Sequence, residues 1–200
     1  MTAETHATRE GKLFAVAELQ NGYFTARQAF ECGYRHSNFP YYIKQNKWKK
    51  VVRGVYRLVN YPVSENEQYT IWSLWVGEKK GIPEGAYSGI TALSFYELTD
   101  VIPSKLHVTI PRNFIIRKKQ TSDLLVFHKE DISAKDLQYF EGYAMTVPRK
   151  ALLDVAREHC MDHDHFIEAV RESYKRGYIS KSFLLENPEF RGVVEYLFNI

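Results

Sequence analysis

Apolar positions recur at helical spacing in the first third of the chain and then switch to alternation. Between Glu10 and Gln20, Leu13, Phe14, Ala17 and Leu19 fall near one face, with Val16 alongside, which predicts a helix. Asn21-Gly22 stops it. Thr25 then heads a Thr-x-x-Gln capping box closed by Gln28. The second helix follows through Ala26, Ala29, Phe30 and Cys32 to Gly33. Ser37 or Asn38 is placed to cap a third helix, with Pro40 tolerated in its first turn because no intrahelical N–H bond is lost there. Tyr41, Tyr42, Ile43 and Lys44 fill that helix, and Asn46-Lys47 ends it. Trp48-Lys49-Lys50-Val51-Val52 and Val55-Tyr56-Arg57-Leu58-Val59 flank Arg53-Gly54, the pattern of a hairpin. Helix, tight turn, helix and basic ribbon predict a winged helix-turn-helix over residues 1–62, with Asn60-Tyr61-Pro62 as the boundary.

Residues 63–200 predict a mixed α/β domain, so the expected fold class is α+β. Glu67 to Gly77 reads as a helix, and Gly81-Ile82-Pro83-Glu84-Gly85 as a loop. Ser88 is placed to cap a short helix through Ala92, Leu93 and Phe95. Strands are expected at Leu106 to Ile110, Leu124 to His128 and Tyr143 to Val147. Pro148 starts a helix, a second runs from about Phe166 to Arg176, and Ser180 is placed to cap a third. Trp72, Trp75, Tyr87, Phe95 and Tyr96 read as core packing.

Charge sharpens this division. The formal net charge of +3 is uneven: residues 1–62 carry 10 Lys and Arg against 4 acids, and residues 63–200 carry 17 against 20. Between Arg27 and Arg57 stand eight cations and one acid, Glu31. A local basic excess on such a motif is the electrostatic footprint of a polyanion partner, here double-stranded DNA. Arg35, His36, Ser37 and Asn38, at the start of the third helix, are expected to meet base edges or phosphates. Tyr41 reaches for a phosphate. Lys49, Lys50 and Arg53 take the backbone or the minor groove, and Arg27, Lys44 and Lys47 complete the basic set. A second basic cluster, Arg112, Arg117, Lys118 and Lys119, either extends this footprint or is a solvated loop.

The sequence offers little chemistry. His159-Cys160-Met161-Asp162-His163-Asp164-His165 is rich in metal-ligand types but lacks paired ligand spacing, so no metal is expected and Asp162 or Asp164 reads as a helix cap. There is no Gly-rich phosphate loop, nucleophile elbow or His-Glu-x-x-His, so neither catalytic residues nor a cofactor is expected. Ser88, His107 and Asp154 can be assembled into a triad only on paper. Cys32 and Cys160 stand far apart, which suits a reducing cytoplasm. No apolar run approaches the ~20 residues of a membrane span.

Three segments carry a family resemblance. The first is Trp48-Lys49-Lys50-Val51-Val52-Arg53-Gly54-Val55-Tyr56. The second is Tyr87-Ser88-Gly89-Ile90-Thr91-Ala92-Leu93 leading to His107-Val108-Thr109-Ile110-Pro111. The third is Val147-Pro148-Arg149-Lys150-Ala151-Leu152-Leu153-Asp154, in which Lys150 stands where the family usually has Thr. In this order they resemble the AbiEi-type antitoxins of bacterial type IV toxin–antitoxin systems. The resemblance implies an autorepressor that binds repeats in its own promoter. It further implies a C-terminal domain serving antitoxicity against a nucleotidyltransferase-like toxin. Two other readings stay open: a ligand-responsive winged-helix regulator without a toxin, and a DNA-targeted nuclease or nucleotidyltransferase.

Overall fold

The computed structural model describes residues 8–79, 82–116 and 123–198. Its elements form two compact units, both mixing helix and strand. The first takes in the described residues up to Glu84 together with Tyr139–Tyr143. The second comprises 85–138 and the described residues from Ala144 onward.

In the first unit, α1 (Arg9–Glu18) starts at Thr8, whose hydroxyl accepts the Gly11 N–H at 3.1 Å. The chain leaves it through Asn21 and Gly22, both in the left-handed region at φ 52° and 81°. A side chain at Gly22 would also collide with the Tyr61 ring, its Cβ lying 2.4 Å from a ring carbon, so that position requires glycine twice over. The next three residues form a strand, β1 (Tyr23–Thr25), which the sequence reading passes over. Thr25 then caps α2 (Ala26–Glu31). The Gln28 N–H donates to its hydroxyl at 3.1 Å, and its own N–H donates to the Gln28 carboxamide at 2.8 Å.

A 3-10 turn, His36–Asn38, leads into α3 (Phe39–Lys44). Neither Ser37 nor Asn38 caps this helix through its side chain, contrary to the expectation. The Phe39 N–H instead bonds the His36 carbonyl, so the tight turn satisfies what a cap would have satisfied. The predicted hairpin is present as β2 (Trp48–Val52) and β3 (Val55–Leu58), with Gly54 at φ 83° in its turn. The three strands form an antiparallel sheet in the order β1-β3-β2.

Strand alternation gives this sheet two buried faces. Phe24, Trp48, Tyr56 and Leu58 pack with Leu13, Ala17, Ala29, Tyr34 and Phe39 from the helical side. Tyr23, Val51, Val52 and Val55 pack with Ile71, Leu74 and Trp75 of α4 (Glu67–Val76). A sheet with two apolar faces needs a cover on each. The first unit therefore runs past the Pro62 boundary expected from the sequence and takes in α4 and a short antiparallel pair, β4 (Glu78–Lys79) and β5 (Ile82–Pro83). Strand β5 falls in the stretch expected to be loop.

The second unit opens with β6 (Ala86–Tyr87) and α5 (Gly89–Phe95). Strands β7 (Leu106–Ile110), β8 (Leu125–Lys129), β9 (Leu137–Phe140) and β10 (Tyr143–Thr146) follow, β9 running into and β10 out of the Tyr139–Tyr143 segment that belongs to the first unit. The sheet order is β8-β7-β6-β10-β9, with β7 parallel to β8 and antiparallel to β6, and β6 parallel to β10. Helix α6 (Pro148–Glu158) packs on α5. Then come α7 (His163–Lys175), capped by Asp162, α8 (Lys181–Glu186), capped by Ser180, and α9 (Arg191–Phe198). Ser88 occupies the cap position of α5 but makes no capping bond. Its hydroxyl is buried and accepts from Thr109 Oγ1 at 2.7 Å. No helix among the described residues is long and apolar enough to cross a membrane.

Trp48 is 4 % exposed and touches aromatic rings from β1, α3, β3 and the link after α2. Trp48→Ala should cost about 3–5 kcal/mol of stability, as large aromatic truncations in a packed core do, read as a fall in the urea midpoint. A second expectation concerns pH. Burial, with smaller contributions from Tyr69 and Glu141, pushes the Tyr143 phenol up to about 12. A raised folded pKa means stability is intact below the unfolded value near 10 and declines as pH rises from there toward 12. The urea midpoint should fall over that window, and fall less in Tyr143→Phe.

Candidate nucleic-acid interface

Helix α3 is six residues long, and its two faces are set by packing. Phe39 and Tyr42 lie three apart and turn inward. Phe39 meets Trp48 edge-to-face at 5.2 Å, and Tyr42 stacks on Trp48 at 4.7 Å. Pro40, Tyr41, Ile43 and Lys44 are thereby left on the exposed side. Ile43 and Pro40 are apolar members of that face that a charge-led reading misses. An apolar side chain there has a counterpart in the thymine methyl group.

All eleven residues expected to meet DNA are exposed: Arg27, Arg35, His36, Ser37, Asn38, Tyr41, Lys44, Lys47, Lys49, Lys50 and Arg53. They differ in what holds them. Arg27 is paired with Glu31 at 2.8 Å one helical turn away, and Lys47 with Glu10 at 3.5 Å. His36 lies nearly parallel to Phe30 at 6.1 Å and against Phe39 at 4.8 Å, so it bridges the second and third helices. The Ser37 hydroxyl donates to the Asn38 carboxamide oxygen at 3.3 Å. Arg35, Lys44, Lys49, Lys50 and Arg53 make no ion pair among the described residues, which leaves their charge available.

The hairpin separates two lysines that are neighbours in sequence. Successive strand residues point to opposite faces. Lys50 is opposite Tyr56, on the face shared with α3, and Lys49 is opposite Arg57, on the face of Tyr23 and α4. Because β2 is an outer strand of the sheet, both remain in solvent. The turn itself is anchored: the Ala26 N–H donates to the Gly54 carbonyl at 2.8 Å, which fixes Arg53 beside the start of α2. Arg57, one of the eight cations of this stretch, is turned inward. It donates to the Tyr61 carbonyl and lies 5.8 Å from the Tyr23 ring.

The second basic cluster is placed only in part. Arg112 is exposed, and its backbone N–H donates to Asp131 at 3.1 Å. Arg117, Lys118 and Lys119 lie outside the described residues. In the His-rich stretch, Asp162 caps α7 by accepting the His165 N–H at 3.1 Å and also meets the His165 ring at 2.5 Å. These bonds, the backbone one foremost, hold its carboxyl below the usual range. The paper triad is not assembled. Ser88 is bonded to Thr109, Asp154 to Lys150, and His107 to His128. Burial, and then the neighbouring His128, lower His107 below the ordinary imidazole range.

No protein-family model matches this chain, and neither does any curated protein. Among solved structures, the chain is similar to the RV2827C protein from Mycobacterium tuberculosis. The TM-score is 0.54 at 13% identity, over 96% of this chain and 76% of that one. At that identity the likeness concerns the fold.

Proposed function

We propose that this chain is a sequence-specific double-stranded DNA-binding protein whose first unit works as a winged helix-turn-helix. In this reading α3 is the recognition helix and the β2–β3 hairpin is the wing. The observation that carries it is the set of exposed cations free of acidic partners, Arg35, Lys44, Lys50 and Arg53. They flank an α3 face that also presents Asn38, Tyr41 and Ile43. Cations supply sequence-independent affinity by releasing counterions, and carboxamide and apolar groups supply discrimination at base edges. Asn38 is suited to the second task because helix capping does not engage its side chain, which is exposed and meets only the neighbouring Ser37 hydroxyl among the described hydrogen bonds.

The resemblance to AbiEi-type antitoxins extends the proposal to biology. The protein would be a cytoplasmic antitoxin and autorepressor that occludes its promoter by binding repeats there. Its second unit would serve antitoxicity against a nucleotidyltransferase-like toxin. The role is non-enzymatic, and what supports that part is the motif resemblance alone. A toxin gene of that class beside this one, and rescue of its toxicity by this chain, are the corresponding tests.

Footprinting and gel shifts on the DNA upstream of the gene test the binding directly. Lys50→Ala with Arg53→Ala should weaken binding to operator and scrambled DNA alike. It should also make the salt dependence shallower by about 2 in log K against log salt, at roughly 0.9 per phosphate contact. Lys49→Ala, on the other hairpin face, should do less than Lys50→Ala. Asn38→Ala should reduce the preference for operator over scrambled DNA by roughly 1–3 kcal/mol while leaving non-specific binding in place. Unchanged affinity of the Lys50/Arg53 variant across salt concentrations would remove the hairpin from the interface.

A further inference from the structure

The second unit contains a polar cluster that the DNA reading does not use. Along β7, His107 and Thr109 leave the same face; along β8, Val126 and His128 do, and Glu130 follows them. The parallel register sets Thr109 opposite His128 and His107 opposite Val126, so the two imidazoles are diagonal neighbours on one side of the sheet. Helix α6 lies over that side and presents Lys150, Asp154 and Glu158 at four-residue spacing.

One end of this array is closed by charge. The Lys150 ammonium bonds Glu130 at 2.7 Å and also Asp154. Burial alone would lower the lysine's pKa, but those two bonds outweigh it and hold it above the ordinary value. The other end is open. Glu158 Oε1 lies 2.7 Å from His128 Nδ1, and His128 Nε2 lies 3.1 Å from His107 Nδ1. The rings are 20° from parallel with centroids 5.1 Å apart. The facing atoms of the two rings are His128 Nε2 and His107 Nδ1.

We propose that His107 and His128 ligate a divalent transition metal of the zinc class, with Glu158 orienting His128. The ion displaces the proton shared by the two rings and sits off the line joining their nitrogens, so both rings turn toward it on binding. His107 Nδ1 and His128 Nε2 are the ligand atoms, and His107 carries its own proton on Nε2. Their 3.1 Å separation is close to the ~3.3 Å between two nitrogens on one tetrahedral zinc with bonds of about 2.0 Å. Glu158 accepts the His128 Nδ1–H, the carboxylate–histidine–metal arrangement that fixes the tautomer and raises ligand basicity. The remaining coordination positions are open to water.

Two observations beyond the ligand geometry favour a cation. Glu130, Asp154 and Glu158 are three carboxyl groups with one ammonium of the described residues bonded among them, Lys150. Arg157, paired with Glu189, also acts on Glu130 and Asp154 through space, and burial holds the Asp154 carboxyl above its usual range. The cluster keeps more carboxyl groups than bonded cations, a surplus that a divalent ion would offset. Asp154 is also nine-tenths buried, and its Oδ2 has no hydrogen-bond partner. Such an oxygen is unfavourable unless a cation or a donor meets it. The ligands are held firmly as well. The His107 N–H donates to Thr91 Oγ1 at 2.8 Å, and its carbonyl accepts the Ser88 N–H at 3.0 Å, which fixes the strand position from both sides.

The test is a titration of the chelator-treated full chain with Co²⁺, followed by competition with Zn²⁺. One equivalent should bind with the visible absorption of low-symmetry cobalt, and Zn²⁺ should abolish that absorption. His107→Gln and His128→Gln should each lose binding, and Glu158→Gln should weaken it roughly 10–100-fold, the usual effect of removing such a carboxylate. His163→Ala with His165→Ala, in the other His-rich stretch, should bind as the wild type does. Absence of uptake, survival of uptake in His128→Gln, or its loss in the His163/His165 variant would overturn the assignment. Imidazole ¹⁵N spectra of the wild type give the same answer without a substitution. The His107 and His128 nitrogens should shift on adding Zn²⁺, and unchanged resonances would refute the site.

Discussion

Trp48 is the contact on which the first unit turns. Five rings from β1, β3, α3 and the link after α2 come within 6.3 Å of it, centroid to centroid. Such pairs are worth about 0.5–1.5 kcal/mol each beyond their burial. An exposed ion pair of the kind Arg27 makes with Glu31 contributes about 0–1 kcal/mol. Packing therefore decides how α3 sits, and the surface charges follow from it. By drawing Phe39 and Tyr42 inward, Trp48 determines that Tyr41, Ile43 and Lys44 face out. A tryptophan at the first position of β2 thus specifies which α3 side chains face solvent, without itself being accessible.

Local signals in the sequence translate well into this structure. The Thr25–Gln28 capping box, the stops at Gly22 and Gly33, and the hairpin around Gly54 each depend on residues within a few positions of one another. Each is found as expected. Two kinds of feature escape such a reading. The first is strand too short to show a period: β1 has three residues and β6 two, and both exist because a partner strand is already in place. The second is the identity of a packing partner. Periodicity in α4 announces a buried face, but not that Tyr23, Val51, Val52 and Val55 are what it buries. For that reason a boundary marked by Pro62 falls inside a compact unit rather than at its edge.

The site residues divide along the same line. Counting cations between Arg27 and Arg57 finds a basic region, yet treats Arg57 and Lys50 as equals. Arg57 is bonded to the Tyr61 carbonyl, and Lys50 stands free in solvent. Strand alternation, already implicit in the sequence, would have sent Lys49 and Lys50 to different faces. No comparable rule joins His107, His128 and Glu158. They are separated by 21 and 30 residues and meet through a parallel strand register and a helix crossing. The His-rich stretch around Asp162 attracts attention by density, whereas its principal structural task is to cap α7.

The two units place their charges in opposite ways. In the first, cations sit in water on the outside of an aromatic core, where the solvation penalty is small and the charge can act on a partner. In the second, acids and a lysine are drawn between a sheet and a helix, where every unbalanced charge is costly. Of this cluster only Lys150 and Asp154 are buried, where apolar residues of similar volume would fill the space at less cost, while Glu130 and Glu158 keep more than a third of their side chains in solvent. The proposed DNA contacts draw only on the first arrangement, and the proposed metal site only on the second.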